Sequence, residues 1–140
     1  MTAPSLMPSI ERLRLAGQRL GPEIGARLIV LFGSAARDRA APGDLDVGIR
    51  CDGPLDAVGA TNRLIQLLGV QAIDVADLRR AEPLLLALAA RDGIPLYEAE
   101  PGAFAAFASL AARRFADTRK FRDAERGEVR EFLRTARGAG

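Results

Sequence analysis

Two aspartates one residue apart are the clearest sign of chemistry in this sequence. Asp44 and Asp46 lie in the segment 44–50, whose alternating apolar residues predict a β-strand. Side chains two positions apart on a strand share a face, so both carboxylates are expected to point the same way. Together they form a candidate site for a divalent cation. Taken alone, the pair is more typical of the solvent-facing side of an amphipathic strand.

A glycine–serine turn precedes these aspartates. The apolar run Leu28 to Phe32 predicts a buried strand that ends at Gly33 and Ser34. Ser34 is predicted to cap a short helix over 35–39. Backbone N–H groups at a helix start attract anions, and glycine allows a ligand to approach the main chain closely. The turn and the carboxylates together therefore predict a triphosphate site.

A third carboxylate, Asp74, lies within a predicted strand over 70–77. Its neighbours on the same face of that strand are alanines, which leave room for a ligand. A charged side chain in such a position needs a partner, water or a ligand. The alternative is a structural ion pair with an arginine such as Arg27 or Arg50.

Helices and strands alternate along the chain. Helices are predicted over 10–20, 55–68 and 83–91 and from Pro101 onward. Gly21-Pro22 is predicted to end the first helix. The second helix has a predicted apolar stripe at Val58, Thr61, Ile65 and Leu68. Further strands are predicted over 27–32 and 94–97. This pattern predicts an α/β (α+β) domain with a small mixed sheet flanked by helices and a C-terminal helical extension. We expect a core over 1–98, the extension over 99–137, packed on the core or on a partner, and disorder over 138–140.

Composition excludes several kinds of chemistry. The 140 residues include no histidine and one cysteine, Cys51, so His-dependent catalysis and a Cys/His zinc site are excluded. The lone cysteine suits a reducing cytoplasm. No apolar run is long enough to span a bilayer and no signal peptide is recognisable, so a cytoplasmic protein without a membrane contact is expected.

Charge is distributed unevenly. Residues 1–112 carry 11 basic and 13 acidic side chains, whereas residues 113–140 carry 9 basic and 5 acidic ones. A basic tail indicates an acidic partner, nucleic acid or a solvated helix face. The aromatic stripe at Phe104, Phe107 and Phe115 indicates core or a protein interface, because basic residues do not interleave with it regularly. Direct nucleic-acid binding is therefore not expected.

The order of these motifs resembles that of the DNA polymerase β-like nucleotidyltransferase superfamily. The small size is similar to that of its minimal members, the MNT domains, which pair with HEPN proteins in toxin–antitoxin modules. The resemblance covers roughly residues 10–98. The matching positions, in order, are Gly33-Ser34-x-x-Arg37, Asp44-x-Asp46 and Asp74. One departure is Gly43, where the family often has serine before the first aspartate.

The resemblance implies a role for each matching residue. Gly33 and Ser34 would bind the triphosphate of ATP, and Arg37 would neutralise phosphate charge. The acids Asp44, Asp46 and Asp74 would be catalytic and bind Mg²⁺, most simply two ions, with Asp74 acting as or positioning the base. This assignment suits nucleotidyl transfer, which depends on positioning and charge neutralisation.

The resemblance also implies a partner. The chain would be an antitoxin that transfers AMP from ATP to a HEPN-family RNase and silences it. Such toxins use an Arg-…-His motif, so a chain without histidine is not the toxin itself. Two alternatives stay open. The first is a non-catalytic antitoxin that neutralises its toxin by binding. The second is a nucleotidyltransferase that acts on a small hydroxylated acceptor such as an aminoglycoside. The oligomeric state, a homo-oligomer or a hetero-oligomer with the toxin, is also open.

Overall fold

The computed structural model describes residues 7–38 and 44–118. Within these ranges the chain forms five helices and four strands. In chain order they are α1 (Ile10–Ile24), β1 (Ala26–Phe32), α2 (Ser34–Arg37), β2 (Leu45–Cys51), α3 (Ala57–Leu68), β3 (Ile73–Asp77), α4 (Pro83–Asp92), β4 (Ile94–Glu98) and α5 (Ala103–Asp117). Residues 119–137 of the predicted extension and 138–140 lie outside the described residues.

The four strands form one mixed sheet in the order β3-β2-β1-β4. β1 pairs antiparallel with both β2 and β4, whereas β2 and β3 are parallel. A parallel pair needs a long crossover, and α3 supplies it. The predicted small mixed sheet flanked by helices is confirmed.

Each face of the sheet supports its own hydrophobic core. Alternation along β1 sends Ile29 and Leu31 to one face, where α1 and α3 cover them, and Leu28 and Val30 to the other, where α4 and α5 cover them. On β2, Leu45, Val47 and Ile49 join the first core, as the sequence predicted. Asp46 therefore points to the second face, beyond the area that α4 and α5 cover.

Two sequence-based expectations about the helices are wrong. α1 does not end at Gly21-Pro22, because it continues through Pro22 to Ile24 and ends at Gly25 in the left-handed conformation. Gly21 lies against the Tyr97 ring, which leaves no room for a Cβ there, so this glycine serves close helix–sheet packing. On α3, Val58 is 72% exposed, and the buried positions are Ala60, Leu64 and Leu68.

The last helix packs on the body of the protein. Phe107 of the predicted aromatic stripe and the nearby Ala111 are buried in one cluster with Leu86 and Ala89 of α4. Phe104 lies at the edge of the same cluster, with its ring centroid 6.2 Å from that of Phe107. α4 and α5 thus form a helical pair over the second face and leave the β2–β3 side of that face open.

Candidate active site

The register of the sheet brings two of the predicted acids side by side. Asp46 is paired with Phe32 on β1 and with Asp74 on β3. Residues paired in this way lie in one row across the sheet with their side chains on the same face. Asp44 is two residues before Asp46 and is exposed at the start of β2. Strand pairing therefore brings Asp46 and Asp74 side by side, and Asp44 lies near enough for its charge to act on Asp46.

Gly33 has a backbone conformation that only glycine adopts readily. Its φ is 75° and its ψ is −158°, a combination that a Cβ atom makes strongly unfavourable. A Cβ at this position would also overlap Oδ2 of Asp46. The turn after β1 thus packs directly against the central carboxylate of the row, so Gly33 is needed here both for backbone shape and for space.

Ser34 does not cap the short helix. It is the first residue of α2, and Gly33 occupies the cap position without a side-chain bond. The carbonyl of Gly33 accepts hydrogen bonds from the amides of Ala36 and Arg37, each at 3.2 Å. Within the described part of the chain the Ser34 hydroxyl is not used for capping, which leaves it available to a ligand. α2 begins one residue before the predicted helix over 35–39 and ends two residues before its predicted end, at Arg37, whereas Arg39 lies outside the described residues.

The acids carry negative charge that nothing described neutralises. Within residues 7–38 and 44–118, no ion pair involves Asp44, Asp46 or Asp74. The sequence alternative of an ion pair to Arg27 fails, because Arg27 contacts Glu100 at 3.0 Å and Asp52 at 3.8 Å. Burial raises the pKa of Asp46, and the charges of Asp74 and Asp44 raise it further. A bound cation would neutralise this charge and so stabilise the row of carboxylates.

This raised pKa has a consequence for stability in the absence of metal. Because the folded protein holds the Asp46 proton more tightly than the unfolded chain does, the contribution of Asp46 to stability should fall as the pH rises past the ordinary value of 3.8. Asp46→Asn removes that penalty. Thermal melts in chelator should therefore show the variant more stable than wild type near neutral pH, with a gap that narrows toward acid. If the difference in melting temperature between the variant and wild type widened toward acid pH, the raised pKa of Asp46 would be contradicted.

The described acids do not form a closed metal cage. No group of three acidic side chains in residues 7–38 and 44–118 is arranged to hold a metal ion by itself. This matches the usual way in which Mg²⁺ is bound, by one or two carboxylates together with substrate phosphates and water. The candidate ligand atoms are all carboxylate oxygens, which is the type of ligand that Mg²⁺ prefers. The residues present are therefore suited to a metal that arrives with a nucleotide.

Arg37 is held away from the row by a contact that the sequence did not predict. Its Nη1 lies 3.7 Å from Oδ2 of Asp92, and its side chain is 52% exposed. Arg91 contacts the same oxygen at 2.9 Å and lowers the pKa of Asp92 most strongly. Nothing local in the sequence indicates that Asp92 meets Arg37. An arginine in so exposed and weak a pair is free to turn toward a phosphate.

The candidate site thus consists of a strand, a glycine-dependent turn and a row of carboxylates on a mixed sheet. No family model and no curated protein matches the sequence. In the described ranges, no helix is both long enough and apolar enough to cross a bilayer.

Solved structures similar to this chain include three from toxin–antitoxin complexes. One, with AMP-PNP, has a TM-score of 0.72 and 21% identity, covering 83% of this chain and 97% of the other. A second is the tri-AMPylated Shewanella oneidensis HEPN toxin in complex with MNT antitoxin, with a TM-score of 0.65, 21% identity and 84% and 98% coverage. A third is a MntA–HpeT complex with two aspartates replaced by glutamate, with a TM-score of 0.71, 19% identity and 87% and 98% coverage. The chain therefore has the fold of the MNT antitoxins.

Proposed function

We propose that this protein is an Mg²⁺-dependent nucleotidyltransferase of the MNT antitoxin type. It transfers AMP from ATP to a hydroxyl group of a HEPN-family toxin, a separate chain, and so neutralises that toxin in the cytoplasm. The observation that carries the proposal is the row of carboxylates next to the Gly33 turn. Among the described residues these carboxylates make no ion pair. A similar structure with AMP-PNP and another with a tri-AMPylated toxin support the choice of nucleotide and reaction.

Each side chain has a defined task in this proposal. Asp44 and Asp46 hold Mg²⁺, which when bound neutralises charge on the triphosphate. Gly33 lets the phosphates approach the main chain, and the hydroxyl of Ser34 donates a hydrogen bond to them. Arg37 leaves its exposed pair with Asp92 and adds positive charge at the phosphates.

The reaction itself is a substitution at the α-phosphorus. The acceptor hydroxyl oxygen forms a bond to that phosphorus while the bond to the bridging oxygen breaks and pyrophosphate leaves. The hydroxyl proton passes to Asp74 or to a water that Asp74 orients. Asp74 suits this task because it is exposed at the outer end of the row, where a macromolecular acceptor has access.

The helical region has a separate role. We propose that residues 1–98 form the catalytic core and residues 99–137 form an extension that contributes to toxin binding. In its described part, α5 packs on α4 and leaves the acid row open, which supports an accessory rather than a catalytic role.

Intact mass of the HEPN-family protein encoded next to this gene tests the proposal. The two proteins are co-expressed, and the HEPN protein is weighed after incubation with ATP and Mg²⁺. We expect a gain in AMP-sized steps with the wild-type protein and none when chelator replaces Mg²⁺. A complex that forms and neutralises the toxin without any mass gain would favour neutralisation by binding and would overturn the catalytic assignment.

A further inference from the structure

The outer edge of β3 is an unpaired strand edge directly beside the candidate acids. β3 is the last strand of the sheet, and no other strand among the described residues pairs with its free side. Ile73 and Val75 are partly buried against the first core, while Asp74 is exposed on the opposite face. The side chains of Ile73 and Val75 therefore anchor β3 to the first core, while the backbone on its outer side has no strand partner among the described residues.

The pattern of the parallel ladder shows which backbone groups are free. Leu45 N donates to the carbonyl of Ala72 at 2.8 Å, and Leu78 N donates to the carbonyl of Ile49 at 2.9 Å. With this register, even-numbered residues of β3 use their backbone groups toward β2, and odd-numbered residues direct theirs outward. Val75 thus presents both its N–H and its C=O at the open edge, and Asp77 presents its N–H.

The opposite edge of the sheet is protected, and the β3 edge is not. β4 contains Pro95, which has no N–H, and the guanidinium of Arg14 lies against the Pro95 carbonyl at 3.5 Å. Proline and charged side chains are the usual devices that block pairing at sheet edges. β3 has no proline; of its two acids, Asp74 belongs to the candidate site, and the carboxylate of Asp77 accepts a hydrogen bond from the Arg79 amide at 3.0 Å in the turn that follows. An open edge with this backbone arrangement accepts an extended peptide by strand addition.

We propose that the β3 edge binds the acceptor segment of the partner protein as an added strand. This inference rests on the proposed function and names how its acceptor is presented. A residue paired opposite Asp74 continues the row Phe32, Asp46, Asp74, about 4.8 Å further along, with its side chain on the same face. A hydroxyl-bearing side chain at that position lies next to Asp74, the residue that receives or directs its proton.

Charge at the end of β3 specifies the occupant further. Arg79 and Arg80 follow the strand directly, are exposed, and make no ion pair within the described part of the chain. An added strand that extends past Asp77 reaches these arginines. The occupant is therefore an extended segment with a hydroxyl side chain and acidic residues toward the end that meets Arg79 and Arg80.

Hydrogen–deuterium exchange in the complex tests the edge without requiring turnover. The probe is the neighbouring HEPN-family protein, added to the Asp46→Asn variant so that no transfer occurs. Exchange over residues 73–77 should slow at least about tenfold on binding, whereas exchange over the protected β4 edge, 94–98, should not change. Unchanged exchange over 73–77 in a complex that co-purifies overturns the proposal. Slowed exchange supports it even when no AMP transfer is found with wild type, so the two proposals can fail separately.

Substitutions at the edge give a second test. Val75→Pro removes an outward N–H without removing a bond to β2, and should lower transfer to the partner at least about tenfold while the thermal shift caused by Mg²⁺ and AMP-PNP is retained. Val75→Thr keeps the backbone donor and should transfer at the wild-type rate. Wild-type transfer by a folded Val75→Pro protein contradicts strand addition.

The arginines have a matched control. Arg79→Glu with Arg80→Glu should weaken partner binding about tenfold and reduce its dependence on salt. Arg19→Glu, which changes an exposed arginine on α1 without an ion pair among the described residues, should not. Equal effects of the two changes would mean that general charge, rather than the end of β3, attracts the partner.

Discussion

Asp46→Asn is expected to lower AMP transfer by about 10²–10³-fold or more without destabilising the fold. Asp46 is the central member of the acid row, and replacing it removes a metal-ligand charge where phosphate charge must be neutralised. The substitution keeps the size of the side chain. It also removes a carboxylate whose raised pKa shows that the folded protein disfavours its charge. Loss of activity and gain of stability should therefore occur together.

Transfer measured by intact mass and melting measured by circular dichroism check this prediction on the same preparations. Mg²⁺ with AMP-PNP should raise the melting temperature of wild type and raise that of Asp46→Asn much less. Asp52→Asn is the matched control, because Asp52 is an exposed aspartate whose nearest cation is Arg27 at 3.8 Å. Wild-type transfer by purified Asp46→Asn would exclude Asp46 as a metal ligand.

Gly33→Ala is expected to lower both the stability of the fold and the affinity for nucleotide. The backbone conformation alone disfavours alanine by about 1–3 kcal/mol. The added Cβ also displaces the Asp46 carboxylate, so the turn and the acid row are disturbed together. We expect a free energy of unfolding lower by about 3 kcal/mol and no thermal shift with Mg²⁺ and AMP-PNP.

Gly69→Ala separates backbone strain from steric overlap. Gly69 ends α3 with a φ of 72°, but no atom lies within 4 Å of a Cβ built there. This variant should lose only about 1 kcal/mol, and it should keep its nucleotide response. Chemical denaturation and thermal shift assays of the two variants give the comparison. Similar stability losses in both would show that the contact between Gly33 and Asp46 contributes nothing beyond strain.

The helix boundaries show how tertiary contacts override local signals. Gly21-Pro22 is a strong local stop, yet α1 continues because the helix packs on β4 and Gly21 fits against Tyr97. The stripe on α3 was misassigned for a related reason. Small residues such as Ala60 are weak signals in a hydrophobic pattern, and the exposed Val58 is a strong one.

The order of strands and helices and the mixed sheet were predictable from the sequence alone. These features follow from local periodicity and from glycine, which act over a few residues. The pairing of Asp46 with Asp74 and with Phe32, the contact of Arg37 with Asp92, and the open edge of β3 were decided only by the tertiary structure. Strand order and register arise from the burial of both sheet faces at once, which no local pattern encodes.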